Sequence, residues 1–269
     1  MKKSTIAIIA GLAVAVGVVF LVLNKRKPSN TTPDGAIMGS VACMRDNDIK
    51  GLLTRVLTPE DYAKMKKEFE SKSNKMSAKN RAEFNAMLTQ LTAKNAEETI
   101  YGLIKPQLVE AQGQMNEAKK GFPGMIQELM SMQGGNKDAD AKAAGEMASA
   151  LGTWIAGLKL DDEAKAKKGI SIVCSTVRSL KINNADDLEA LTFDQALVKS
   201  GKVMAGLKQV LDLYGMSINQ TLDSVKVGKP EVKDSTAKVP LTVTFLGKTV
   251  TLPMTLTKSG DRWYGKGPK

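Results

Sequence analysis

Three patterns of hydrophobic positions succeed one another along the chain. The first is an unbroken run, Thr5–Leu23 (TIAIIAGLAVAVGVVFLVL), nineteen residues without a charge, with Lys2 and Lys3 before it and Asn24-Lys25-Arg26-Lys27 after it. As a helix at about 1.5 Å per residue it covers roughly 28 Å, close to the hydrocarbon thickness of a bilayer. From residue 36 to residue 214 apolar positions recur at helical spacing. From Leu222 onward the period falls to two.

Residues 24–35, NKRKPSNTTPDG, carry two prolines, a glycine and no hydrophobic period, and are predicted to be a polar tether. Ala36–Leu57 reads as helical, interrupted near Asp46-Asn47-Asp48. Thr58-Pro59-Glu60-Asp61 is a helix start: threonine caps, proline suits the first helical position, and the acids favour the positive end of the dipole. Tyr62, Met65 and Phe69 mark the face of the helix it opens. Ser77 starts the next helix, with the stripe Phe84, Met87, Leu88 and Leu91. Thr92 opens a longer pattern through Ile100, Leu103, Ile104, Leu108, Ala111 and Met115, and Pro106 predicts a kink or a break near Gly102–Lys105.

Gly121-Phe122-Pro123-Gly124 is a breaker, followed by a short helical stretch with Met125, Ile126, Leu129 and Met130 and a loop over 133–138. Beyond it an alanine-rich helix carries Ala144, Met147, Leu151, Ile155 and Leu158, with Trp154 beside the stripe. Asp161-Asp162-Glu163 opens a helix bearing Ile170, Val173, Cys174 and Val177. After the connector 181–187, Thr192–Tyr214 is amphipathic along Phe193, Ala196, Leu197, Val203, Met204, Leu207, Leu211 and Tyr214, and Gly215 ends it.

In the third pattern Val225 and Val227 alternate with polar residues, then Val239, Leu241, Val243 and Phe245, then Val250, Leu252, Met254 and Leu256. Turns fall at 233–235, 247–248 and 259–261, and Trp263-Tyr264 begins a last strand. The expectation is an antiparallel meander with one apolar and one threonine-rich face. Pro240 and Pro253 point to the threonine side and predict edges or bulges. The adjacent Thr192–Tyr214 helix is the expected cover. The fold class is therefore α+β, mostly α. It comprises an anchor (1–24), a tether (25–35), a helical region (36–191), and a long helix plus β-meander (192–269) that forms one domain with the helical region or stands apart.

A secretory signal has an apolar core of about 7–15 residues and small residues before the cut. The run 5–23 is longer, and its small-x-small site, Ala13-Val14-Ala15, is followed by eight more apolar or glycine residues. Ser40-Val41-Ala42-Cys43 resembles a lipoprotein box but lies far beyond the apolar core. The reading is an uncleaved single-pass signal-anchor whose partner is the lipid bilayer through residues 5–23. The flanking bases are nearly balanced. Long downstream domains translocate largely regardless of charge, so the short Met-Lys-Lys head favours an inside amino terminus.

Charge adds less than its total suggests. Five of the 39 basic residues flank the apolar run, leaving 34 against 28 acids. Aromatics make up only 4% and no basic run is interleaved with them, so nucleic acid is not an expected partner. Cys43 and Cys174 are distant in sequence and form no C-x-x-C pair. They are candidates for one disulfide closing a long loop, or for two separate buried thiols.

The chain has no histidine. Ser-His-Asp and Cys-His catalysis and histidine metal sites are thereby excluded. No G-x-x-x-x-G-K-[ST] occurs. The paired acids Asp138/Asp140, Asp161/Asp162 and Asp186/Asp187 all stand at predicted helix starts, where capping accounts for them. The methionines, including Met125, Met130 and Met132, follow helix faces and read as core filling. No catalytic, cofactor-binding or metal-ligating residue is assigned.

The chain resembles uncharacterised bacterial envelope proteins with one amino-terminal anchor and a helical extracytoplasmic body. Its segments AIMGSVACMRDNDIKGLLTRVLTPEDYAKM and VPLTVTFLGKTVTLPMTLTKSGDRWYG are also similar to the opening helices and closing hairpin of nuclear-transport-factor-like domains. That second resemblance implies a curved sheet enclosing a cavity with helices, and binding or scaffolding more often than chemistry. The expectation is a non-enzymatic binding or assembly protein of the bacterial inner membrane, its body in the periplasm or outside the cell, acting on an envelope protein partner. The alternative is a carrier or sensor holding a hydrophobic ligand between the meander and its covering helices.

Overall fold

The structure, a computed structural model, describes residues 30–71, 75–118 and 139–265. The apolar run 5–23, residues 25–29 of the tether, the breaker at 121–124, the helical stretch after it and the loop 133–138 lie outside these residues. Among the described residues no helix is long and apolar enough to cross a membrane.

The fold is mostly helical with a curled antiparallel sheet at the carboxyl end. Its helices are α1 (Pro33–Arg45), α2 (Ile49–Val56), α3 (Pro59–Ser71), α4 (Ala78–Thr92), α5 (Ala96–Ala118), α6 (Ala139–Gly157), α7 (Glu163–Leu180), α8 (Ala185–Glu189), α9 (Phe193–Leu213) and α10 (Ile218–Asp223). Five strands follow: β1 (Lys226–Val227), β2 (Glu231–Lys233), β3 (Thr236–Phe245), β4 (Lys248–Ser259) and β5 (Arg262–Gly265).

Side-chain caps set most helix starts. Thr32, Asp48, Ser77, Asp162, Asn184, Thr192 and Ser217 each accept a hydrogen bond from a backbone N–H of the first turn, satisfying an otherwise orphaned donor. Thr192 and Gln195 form a reciprocal capping box. The helical segment predicted to begin at Ala36 starts three residues earlier, because Thr32 caps and Pro33 occupies the first turn. Of the kink or break expected at Pro106, the break does not occur: α5 runs through it to Ala118. Pro106 is exposed, and the residue four positions before it is Gly102, itself exposed.

Two packing layers share α9. On one side α7 lies between α9 and the α4–α5 pair, with Ala96, Tyr101, Ala166, Ile170 and Cys174 buried together. The predicted stripe of α5 faces inward: Met115 is buried, and Ile100, Ile104 and Leu108 pack on the Tyr101 cluster, while Leu103 departs from it at 58% exposed. On the other side the larger core joins α1, α2, α6 and α10 to the sheet.

The sheet order is β1-β3-β4-β5, with β2 also pairing β3 beyond β1. Its apolar face carries Ala237, Val239, Leu241, Val243, Phe245, Val250 and Leu256, all buried. Its outer face carries paired threonines, Thr242 with Thr251 and Thr244 with Thr249, whose hydroxyls lie 2.9 Å apart in each pair. The cover differs from the expected one. Helix α6 lies along β4, while α1 and α10 close over β1, β3 and β5. Helix α9 sends Leu211, with Met204 and Leu207 beside it, into the sheet-side core, but it packs mainly on α7 and α2 and does not lie along the strands. The period change at Leu222 is also displaced: residues 218–223 form α10, whose Ile218, Thr221 and Leu222 are buried.

Candidate functional site

Helix α9 positions the most elaborate constellation in the described chain. Three of its lysines reach the carboxyl ends of neighbouring helices. Lys199 Nζ donates to the Leu180 carbonyl, and Lys202 Nζ donates to the Ser179 carbonyl at 2.6 Å, both at the end of α7. Lys208 Nζ donates to the carbonyls of Met44 and Arg45 at the end of α1. The last carbonyls of a helix lack intrahelical donors and sit at the negative end of its dipole, so each ammonium answers both needs. Lys208 is only 6% exposed, and burial pulls its ammonium down to about 8, with Asp46 opposing the shift.

Where α1 gives way to α2, Asn47 adopts a left-handed backbone (φ 57°), and Asp48 caps α2 through a bond from Gly51 N at 2.7 Å. This turn rests against Gly201 of α9. Between the two lies an open cleft of about 360 Å³, lined by Asn47, Ile49, Lys50, Leu197, Val198 and Lys202 among others. Asn47 Oδ1 is buried without a hydrogen-bond partner among the described residues. At one edge Lys50 Nζ meets Asp194 Oδ1 at 2.8 Å. Their hydrogen bond raises the lysine and lowers the carboxyl from their ordinary ranges. Val198 is 60% exposed at the cleft's apolar side.

The cysteines are not brought together. Cys43 lies in the sheet-side core, its Sγ donating to Asp48 Oδ2 at 3.8 Å, whereas Cys174 lies in the α4–α5–α7 cluster. Each is a buried thiol, and the disulfide weighed from the sequence is not formed. Burial pushes the Cys174 thiol up, with Glu97 adding to the effect.

Of the paired acids, Asp162 caps α7 through Lys165 N at 3.0 Å. Asp186 pairs with Arg81, and Asp187 accepts from Asn183 N at 2.8 Å. Asp138 lies outside the described residues. Among those residues no group of three or more His, Cys, Asp or Glu side chains is placed to hold a metal ion.

The chain matches no known protein family, no curated protein and no solved structure.

Sequence reading missed two groups that organise these surfaces. Lys208 shares a helical face with Met204, Leu207 and Leu211, and a lysine at that spacing on an apolar stripe was the available signal. Glu189, with a side chain 12% exposed, accepts from Met76 N at 2.8 Å and from Arg81 Nη2 at 2.6 Å. Its partners lie more than a hundred residues away, so no local pattern announces it.

Proposed function

We propose that this chain is a membrane-anchored, non-enzymatic binding or assembly protein of the bacterial envelope. Residues 5–23 hold it in the inner membrane with the amino terminus inside, and the body stands in the periplasm or outside the cell. The observation that supports work at a surface is the filling of the sheet's apolar side. Phe245, Leu241, Val239, Val243 and Leu256 are each less than 2% exposed beneath α1, α6 and α10. A carrier with its ligand between sheet and helices needs space in that layer. The recesses described lie elsewhere, over the α1–α2 turn and on the β2–β3 hairpin, and both are open. We place the partner contact on the cleft beside Val198, where an apolar wall meets Lys50, Asp194 and Lys202. Such an apolar centre with a polar rim is the usual anatomy of a protein interface.

Photocrosslinking in intact cells tests this. A benzoyl-phenylalanine at position 198 is expected to trap one reproducible protein neighbour, and the adduct is expected to be lost when Lys50 and Lys202 are both changed to Glu. No adduct at 198, or the same adduct from position 109 on α5, overturns the placement. Stoichiometric lipid retained on the purified chain in native mass spectrometry favours the carrier reading instead. A periplasm-dependent reporter fused after Lys269 is expected to be active; an inactive one overturns the topology.

A further inference from the structure

The backbone N–H of Trp263 in β5 donates to the carbonyl of Asn30 at 2.9 Å. This single bond fixes where the chain leaves the body. Asn30 is docked against the outer side of β5, and Thr32 caps α1 two residues later. The sequence predicted a polar tether over 25–35. The stretch between Leu23 and the first docked residue is instead 24–29, six residues. Seven Cα-to-Cα steps span at most about 25 Å, and a headgroup layer takes up some of that length.

The end of the sheet beside Asn30 is made of the β4–β5 turn and the β2–β3 turn, joined by the bond from Lys258 N to Ser235 O at 2.7 Å. It exposes Lys233, Lys258 and Arg262. Its acids are Asp234 and Asp261, and Asp261 lies 3.8 Å from the Arg262 guanidinium. Three further bases, Lys25, Arg26 and Lys27, lie in the sequence between Leu23 and Asn30. The β3–β4 turn at Leu246-Gly247 is at the other end of the same strands. It is eleven residues of β4 away, up to about 36 Å at the usual strand rise.

We propose that the sheet end formed by Asn30, the β4–β5 turn and the β2–β3 turn rests on the anionic headgroups of the membrane that holds residues 5–23. The inference rests on the anchor reading above. The short connection keeps these bases within about 25 Å of the hydrocarbon edge, and within a Debye length of about 10 Å anionic headgroups attract lysine and arginine. The body is thereby oriented, with the β3–β4 turn pointing away from the membrane.

Spin labelling of the full chain in nanodiscs tests the orientation. One nitroxide is placed at Ser259→Cys or at Lys248→Cys; Cys43 and Cys174 are buried. A nickel-chelating lipid supplies a relaxer at headgroup depth. In discs containing phosphatidylglycerol, relaxation at 259 is expected to exceed that at 248 by threefold or more. It is expected to fall at least twofold in purely zwitterionic discs or in 0.5 M salt, a comparison that needs no further variant. K258E/R262E is expected to reproduce that fall in anionic discs. Equal relaxation at 259 and 248 overturns the orientation, and relaxation at 259 that ignores lipid charge and salt overturns the headgroup contact. Both results leave the anchor standing if the chain resists extraction by alkaline carbonate. A chain that carbonate washes off overturns the anchor, and this inference with it.

Discussion

Gly201 faces the carbonyl oxygen of Asn47 so closely that a Cβ at position 201 would stand 2.4 Å from it. The obstacle is backbone, so a new methyl group cannot be met by rotating a side chain. Asn47 holds its left-handed conformation in that same turn. Gly201→Ala is expected to push α9 off the α1–α2 turn and cost roughly 1–3 kcal/mol in urea unfolding. Gly113→Ala is the control. Nothing lies within 4 Å of its Cβ position in the middle of α5, and the change is expected to stabilise by roughly 0.5–1 kcal/mol. A loss at Gly113 equal to that at Gly201 would refute the packing argument.

Lys208 gives stability an alkaline signature. Its ammonium titrates at about 8 in the folded chain and near 10.4 unfolded, so between those values the unfolded state binds more protons. Stability from this group therefore rises as pH climbs from about 8 to about 10.4, by up to about 3 kcal/mol. Lys50 and Lys167, whose ammonium groups are raised by acidic partners, act in the opposite sense, and their contribution fades as pH rises through their folded values. The measurement is the difference between the parent and Lys208→Met in urea midpoints at pH 7 and pH 10. The parent is expected to gain on the variant across that interval. A constant difference would show that Lys208 does not titrate there.

On the acid side, Glu97 is held below the ordinary carboxylate range by its hydrogen bond from Arg178, at 2.7 Å. A depressed carboxyl contributes stability above its unfolded value and loses it as pH falls through the folded one. Arg178 also donates to the Ala93 carbonyl at the end of α4. Glu97→Gln is therefore expected to flatten the fall in stability below pH 4 while leaving the Ala93 contact in place. An unchanged acid slope would remove Glu97 from the account.

Much of this architecture is legible in the sequence because it is local. Thr58-Pro59, Ser77, Asp162 and the Thr192/Gln195 box mark their helices with side chains that bond the adjacent backbone, so three or four residues carry the signal. The strand alternation is equally plain, since one face meets a core and the other water. What escaped depends on long-range choice. Adjacency pointed to α9 as the sheet's cover, but α9 packs mainly on α7 and α2, and α6 lies along the sheet. On α5 the sequence stripe omits Tyr101, which packs with Ala166, Ile170 and Cys174, none of them near it in sequence. The Val198 cleft was not legible either, because it needs the α1–α2 turn to meet α9.

The two cysteines yield a chemical test of the separate cores. Each thiol is buried in a different cluster. Neither is expected to react with a thiol-specific disulfide reagent in the native chain, while both react at once in denaturant. The burial that raises the Cys174 thiol lowers its thiolate fraction and slows it further. Titration of no thiols after unfolding without reductant would restore the disulfide.

Pro240 and Pro253 sit directly opposite each other in the central β3–β4 pair, where the sequence predicts edges or bulges. The register explains how a sheet interior tolerates both. The Pro240 carbonyl accepts from Gly228 N at 2.7 Å, on the side away from β4. The N and O of a strand residue point the same way, so Pro240's absent N–H would face the connection at Gly228, between β1, paired at 241–242, and β2, paired at 236–238. By the same alternation Pro253 faces away from β3. Among the described residues β5 pairs only with 256–259, so no strand lies on that side of Pro253. Each proline thus stands at a local edge inside a continuous ladder. Val243 and Val250 belong to the alternate, hydrogen-bonded class, and Val243→Pro is expected to cost about 3 kcal/mol or more. Pro240→Thr is expected to change stability by less than about 1 kcal/mol. Pro253→Thr is expected to be equally mild in stability but to raise self-association, because it adds an outward donor to an edge that proline blocks. Sedimentation of the two threonine variants at matched concentration checks this, and association by the Pro240 variant but not the Pro253 variant would reverse the assignment.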